Sequence, residues 1–236
     1  MALCSFGGLP PCPTAKTDNT DKRTKRTFLT DVFYAVYVPK AYSVDDLDLL
    51  HAFILQNSFG ILISVDGDKP VATHVPLLLN TEQNLIEGHL AKPNPHCALL
   101  DGRPATCIFA GPHAYVSSLW YESQPNVPTW NYTAVHVHGR AQAIADPMRI
   151  REILSRTIET YDPKLHSTPQ TEREEAYYRK QEKGIIAFEI AIESIQGKFK
   201  LNQNKTERDR RNVVAELSKS PLASDQDVSK LLSEQL

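Results

Sequence analysis

The stretch Val127-Pro-Thr-Trp-Asn-Tyr-Thr-Ala-Val-His-Val-His-Gly139 constrains this chain more than any other. Pro128 has no N–H to give to a ladder, so it belongs at a strand start or a sheet edge. From Tyr132 onward β-branched and aromatic residues dominate. Alternation sends Val135 and Val137 to one face of the strand and His136 and His138 to the other. Trp130 offers a flat apolar plate, and Asn131 beside it an amide that both donates and accepts, a pairing suited to a planar, polar-edged ligand. The same two residues read equally well as a core tryptophan with a capping asparagine.

The rest of the chain continues in strands with helices at the periphery. Ser43 and Asp46 form a capping-box pattern that predicts a helix to about residue 56, with Leu47, Leu50 and Ile54 on its apolar stripe. Strands are expected at 61–65 and 71–79, joined at Gly67-Asp68 as a hairpin, and again at 85–90, 105–110, 132–144 and 184–195. A short helix is expected at 95–100. Pro147 suits the first turn of another, and Ile150, Ile153, Leu154 and Ile158 keep helical spacing through Tyr161. Residues 172–182 predict a charged surface helix, and Thr206 with Asp209 caps a last one that turns Val213, Val214 and Leu217 inward. Residues after Ser220 read as frayed or weakly helical. Antiparallel strands in a meander with helices around them give a β-rich α+β fold and suggest a small closed barrel.

At 236 residues the chain fits one domain with appendages, and 41% hydrophobic content supplies a core. Three prolines, Pro10, Pro11 and Pro13, and the polar run behind them mark residues 1–33 as a disordered arm, ahead of a domain over 34–218 and a tail over 219–236. The cluster Lys22-Arg-Thr-Lys-Arg26 reads as a nuclear-import signal or as an ordinary solvated tail. A formal net charge of −2 gives no global attraction for nucleic acid. No apolar run approaches the ~18 residues of a membrane span. Cys4, Cys12, Cys97 and Cys107 contain no Cys-x-x-Cys pair, which suits a reduced interior, cytoplasmic or nuclear.

Seven blocks stand in a telling order: Tyr37-Val-Pro-Lys40, Asn57-Ser-Phe-Gly60, Ala72-Thr-His-Val-Pro76, Gly88-His-Leu-Ala-Lys-Pro-Asn-Pro95, Gly111-Pro-His-Ala-Tyr-Val-Ser117, Pro128-Thr-Trp-Asn-Tyr132 and Gly197-Lys-Phe-Lys-Leu-Asn-Gln-Asn-Lys205. Together they resemble the PaiB-like family of FMN-binding negative transcriptional regulators, over roughly residues 37–217. The resemblance implies a split β-barrel of the kind shared with pyridoxamine-phosphate oxidases and flavin reductases. It also implies a homodimer with FMN at the subunit interface, and haem as a minor alternative, since some split-barrel relatives bind haem.

Candidate site residues follow. The run from Gly88 to His96 takes a strand end through a proline-stiffened turn into a helix start, where free N–H groups favour an anion. There Lys92 adds a charge and Asn94 caps or donates, with His89 just upstream; in the family, the phosphate of FMN lies near the end of the corresponding strand. The family's phosphate ligands often include arginine, and here lysine must take that place. Thr73 and His74, on opposite faces of one strand, can each bond a flavin edge, or can equally be plain surface polarity. Lys198 and Lys200 face outward between Phe199 and Leu201 and, with Arg208, Arg210 and Arg211, form the most basic local stretch, fit for a phosphate, a dimer interface or a nucleic-acid backbone. Trp130 and Asn131 complete the set.

His136 and His138 make a two-ligand arm without a third ligand fixed by spacing, so no metal is assigned. No nucleophile elbow, Walker loop or dinucleotide fingerprint occurs, which counts against hydrolases and Rossmann dehydrogenases and leaves no catalytic residue named. A flavoenzyme stays open, because the isoalloxazine carries its own redox chemistry. Three function classes remain: an FMN-binding negative regulator, a flavin-dependent oxidoreductase of the pyridoxamine-phosphate-oxidase type, and a scaffold that has lost its cofactor. No helix-turn-helix or zinc finger is legible, so a regulator would act through a partner or through the stretch from Lys198 to Arg211.

Overall fold

The computed structural model describes residues 36–236; the 1–33 arm and its basic cluster lie outside the described residues. Eight antiparallel strands form one sheet: β1 (Ser43–Val44), β2 (Phe59–Asp66), β3 (Lys69–Pro76), β4 (Leu78–Asn80), β5 (Leu85–Ala91), β6 (Asp101–Val116), β7 (Thr129–Ile144) and β8 (Ile185–Lys200). Their order is β3-β2-β6-β7-β8-β5-β4, with β1 beside the far end of β8. The path is open, so the closed barrel expected from the meander is corrected to a split one. Its two flanks still meet without a ladder: a Cβ on Gly88 of β5 would stand 3.1 Å from the Pro76 carbonyl at the end of β3.

The β2–β3 hairpin is the one read from Gly67-Asp68. Asp66 pairs with Lys69, and Gly67 takes φ +63°, the left-handed region that a two-residue hairpin turn needs at its first position. The single strand expected over 71–79 instead breaks at Leu77, whose N–H goes to the Ser58 carbonyl, before β4 resumes. Strand β6 is far longer than expected because register shifts beside Gly102 and between Ala110 and His113 absorb its glycines and prolines. Strand β8 also runs on past residue 195, through a bulge. His138 pairs with Ser194 and Gly139 with Ile192, so Glu193 is an extra residue on β8. Gly139 lies so close to the passing chain that a Cβ there would sit 2.0 Å from the Ala191 carbonyl.

Helix α1 (Leu47–Gln56) starts three residues later than the capping box implied. Asp46 is the cap, accepting from the N–H of Asp48 and Leu49, while Ser43 belongs to β1 opposite Lys198. Leu47 is accordingly exposed, and Leu50, Phe53 and Ile54 face the core. Helix α2 (Pro147–Tyr161) has proline in its first turn as expected, and is followed by α3 (Pro163–His166) and the exposed, charged α4 (Glu172–Glu182). Thr206 caps α5 (Glu207–Leu217), accepting from the N–H of Asp209. The frayed C-terminus is overturned. Residues Ala223–Ser233 form α6, whose Val228 and Leu232 are fully buried, each worth roughly 1.5–3 kcal/mol.

Alternation gives the sheet two unlike faces. The inner one, with Leu62, Cys107, Phe109, Val135 and Val137, joins α1, α5 and α6 in one apolar core. On the outer face α2 is clamped to one end by a buried carboxylate. Glu87, with 1% of its side chain exposed, accepts from Arg149 at 2.6 Å and Asn80 at 2.9 Å, and pairs with Arg156. Arg149 also donates to Glu189 at 2.5 Å and Glu152 at 2.9 Å. The other end of that face carries no helix among the described residues.

Candidate functional site

This end of the outer face, without a helix on it among the described residues, gathers several candidate residues. Trp130, 53% exposed, stands beside Tyr115 and His113, with ring centroids 6.0 and 5.9 Å away. Tyr132 pairs with Lys200 and Ala134 with Lys198, so both lysines flank this aromatic row. The Lys198 ammonium donates to the Tyr37 carbonyl at 2.8 Å and lies 5.3 and 5.4 Å from the rings of Tyr37 and Tyr132; Lys200 donates to Thr129. Farther along β7, His136 and His138 lie 6.3 Å apart, and the His138 ring meets the Thr106 hydroxyl at 2.9 Å. Burial lowers both histidine pKa values, and His138 lowers that of His136 further. Among the described residues no group of three or more ligating side chains forms around them. His74 is exposed on the same face at β3, stacked on Phe59 at 6.4 Å.

Asn131 parts company with Trp130. Neighbours on a strand point to opposite faces, so its side chain enters the core, fully buried, and neither amide atom has a hydrogen-bond partner. The tryptophan plate with an amide at its edge is therefore not formed.

At the opposite end of the sheet, the turn after β5 is built differently from the expected anion cradle. The 3-10 helix there, Pro95–Leu99, is capped by Asn94, whose side-chain Oδ1 accepts from the His96 N–H at 2.9 Å. Lys92 N–H donates to the Gly184 carbonyl, Asn94 N–H to that of Ala91 and Cys97 N–H to that of Asn94; Pro93 and Pro95 have none to give. No backbone N–H in the turn is left for an anion, so any grip falls to the exposed Lys92 ammonium and the Asn94 amide. Thr73 faces inward, its hydroxyl 3.0 Å from Nδ1 of His96, while Nε2 of the same ring lies 3.0 Å from the Ser64 hydroxyl. His96 is fully buried and burial lowers its pKa, so a neutral ring ties the turn to β2 and β3. His89 lies apart from these, half-buried on the outer face in a groove beneath α2 and α4.

The structure thus brings Thr73, Lys92 and Asn94 to one end of the sheet, and Trp130, Lys198 and Lys200 to the other. Lys92 bonds to Gly184, next to the start of β8, and Trp130 lies near its finish. Those sixteen residues span on the order of 50 Å when straight, at about 3.3 Å each, and less when coiled. Sequence reasoning missed His96, Ser64 and Glu87 as organising residues. The signal for Glu87 was a lone carboxylate inside an apolar strand, facing Arg149 and Arg156 at helical i, i+7 spacing.

Two arginines of the basic stretch from Lys198 to Arg211 are taken up by carboxylates. Arg208 pairs with Glu122 at 2.7 Å and Arg211 with Glu207 at 2.6 Å, while Arg210 donates to the Gln235 carbonyl. Asp209 is buried and holds the loop before β7, accepting from the Ser123 hydroxyl at 2.6 Å and the Glu122 N–H at 2.8 Å. The Ser123 hydroxyl is the main cause of its lowered pKa. No helix among the described residues is long and apolar enough to cross a membrane.

An open antiparallel sheet, curled until its flanks touch and ringed by helices, defines a split barrel of the flavin-binding type. The comparisons agree: residues 36–194 match the family described as "Putative FMN-binding domain", and the chain belongs to that family. It is 34% identical over 205 residues to the protease synthase and sporulation protein PAI 2 (PaiB) of Bacillus subtilis, covering 85% of this chain and 98% of that one. An uncharacterized protein of Emericella nidulans is 28% identical over 224 residues, covering 76% of this chain and 89% of its own length. In fold the chain is similar to flavocytochrome Anf3 of Azotobacter vinelandii (TM-score 0.54, 14% identity, 72% and 75% coverage). It is also similar to the FAD and haem binding protein of Mycobacterium smegmatis (TM-score 0.50, 17% identity, 67% and 73% coverage).

Proposed function

We propose that this protein binds FMN and acts as a regulator, inside the cell, with each cofactor site shared between two copies of the chain. The observation that carries the shared site is the distance along β8 between its two halves. Lys92 and Asn94 supply the only free donors at the phosphate-type turn, with no carboxylate in that turn to repel an anion. Trp130 supplies an exposed aromatic plate toward the opposite end of β8 from Lys92. A two-fold dimer that lays the helix-free end of the outer face of one chain against its partner brings Lys92 of one copy toward Trp130 of the other, and covers Phe59, Tyr115 and Trp130, which are exposed among the described residues. His74, at the β3 edge of that face, joins the Lys92 half, and Lys198 and Lys200 join the Trp130 half. Bound FMN would supply a redox-active ring; the protein's part is to hold its phosphate, stack its ring and exclude water.

The regulatory reading is supported by the Bacillus relative, which is named for protease synthesis and sporulation and is matched over 98% of its length. Since Arg208 and Arg211 are already paired, contact with nucleic acid is expected through a partner protein rather than through that stretch.

Complementation tests the shared site. Lys92→Ala should weaken FMN by about 10- to 150-fold through loss of a charged phosphate bond, and leave riboflavin nearly unaffected. Trp130→Ala should weaken both ligands. Co-refolding the two variants in equal amounts should restore about a quarter of the tight FMN sites, because in a mixed dimer one site carries both changes and the other carries neither. No restoration, or a monomeric mass by light scattering, refutes the shared site. A flavin-free absorbance spectrum after FMN reconstitution refutes FMN binding itself.

A further inference from the structure

One cavity belongs to neither half of that site. A groove of about 450 Å³ opens between α2, α4 and the outer face of β5 and β8, a size within the range of small-molecule sites. Leu154 and Ile158 of α2, Ile185 of β8 and the Tyr178 ring of α4 make its walls apolar. His89, Ser155 and Gln181 also line it, and among the described residues none of these three side chains makes a hydrogen bond. His89 is half-buried between the apolar walls, and the exposed Ser155 hydroxyl and Gln181 amide stand at the rim, so an imidazole without a protein partner is set to orient a ligand that enters past them. Burial lowers the pKa of His89, which keeps its ring neutral near neutral pH. The one cation in the lining, Arg151, lies 3.4 Å from Glu182, so the groove offers no unbalanced charge to an ionic guest. A charged molecule would lose hydration there without compensation.

We infer that this groove binds a small, uncharged aromatic or heteroaromatic molecule, stacked between Tyr178 and the aliphatic wall and oriented by His89 and Gln181. His89 thereby serves this groove rather than the turn at Lys92. Both long walls are helices, and α2 is fixed to the sheet by Glu87, so a guest would bear directly on how α4 sits against α2. The site goes beyond the FMN reading and does not depend on it.

Indole, indole-3-acetate and tryptamine form the probe series, since they share a ring and differ in charge. Titrated calorimetrically into the full chain with and without FMN, indole should bind at least about tenfold tighter than either charged analogue. Leu154→Trp fills the groove, and Ser155→Trp does so from an exposed position that spares the fold; each should weaken indole about tenfold or more while FMN content stays unchanged. Gln181→Leu should weaken it by about 2- to 12-fold, the loss of one neutral hydrogen bond. Equal binding of the three probes, no indole binding, or unchanged binding in both tryptophan variants overturns the inference. Displacement of indole by FMN also overturns it, by assigning the groove to the flavin ring.

Discussion

Replacing Asn131 by leucine should make this protein more stable. Asn131 is fully buried on the inner face of β7, opposite Ala114, and both its amide atoms lack partners. A buried polar group without a hydrogen bond costs about 1–3 kcal/mol, and an apolar side chain of similar shape removes that cost. For a chain of this size each kcal/mol corresponds to roughly 2–4 °C in melting temperature, so Asn131→Leu should raise it by about 2–12 °C. Urea unfolding should show a higher midpoint with an unchanged slope, the sign that stability changed and the denatured state did not. Asn131→Ala, which removes the amide and also empties space, should fall below the leucine variant. FMN content should stay constant in both. A leucine variant that melts lower than the parent, or one that loses FMN, would show that the amide is engaged in the folded protein and that the sequence-level assignment of Asn131 to the cofactor was right.

Glu87→Gln should cost about 3–5 kcal/mol in urea unfolding, because it takes from Arg156 its carboxylate partner and from Arg149 one of three, at a site where the carboxylate has 1% exposure, and adding Arg156→Met should recover part of the loss. Four histidines, His89, His96, His136 and His138, have folded pKa values held below 6.5 by burial. The unfolded chain therefore takes up more protons as the pH falls, so their contribution is complete above about 6.5 and is lost on acidification through the lower folded values. Urea midpoints at about pH 8 and about pH 5 should show that fall, and His96→Gln should shrink it; a flat profile would contradict the neutral, buried rings.

What was legible in the sequence was what local pattern encodes. Gly67-Asp68 announced its hairpin, Pro147 its helix, Thr206 its cap, and the alternation of Val135, His136, Val137 and His138 its two faces. The seven ordered blocks carried the family. What failed needed information from distant residues. Nothing around Val228 and Leu232 announces that the core has room for them, so α6 read as a tail. Gly102, Pro104, Gly111 and Pro112 look like strand breakers until bulges absorb them within β6. At the candidate site, residue types alone placed an anion cradle at Lys92, but the N–H groups that such a cradle needs are spent on Gly184, Ala91 and Asn94.

Glu193 is one residue more than the pairing of β8 with β7 uses, and it shifts the inward–outward alternation of the strand by one. Before it, Phe188 and Ile190 point inward; after it, Ile195, Gly197 and Phe199 do. Deleting this one exposed residue would let β8 pair with β7 without interruption, and every side chain beyond would change sides. Lys198 and Lys200 would then be driven against α1, where Phe199 now meets Phe53 at 5.1 Å, and Phe199 would be turned out to water. The outward cations thus owe their place to parity rather than to their own chemistry. Within β8 this chain should tolerate substitution at Glu193 far better than the loss of it.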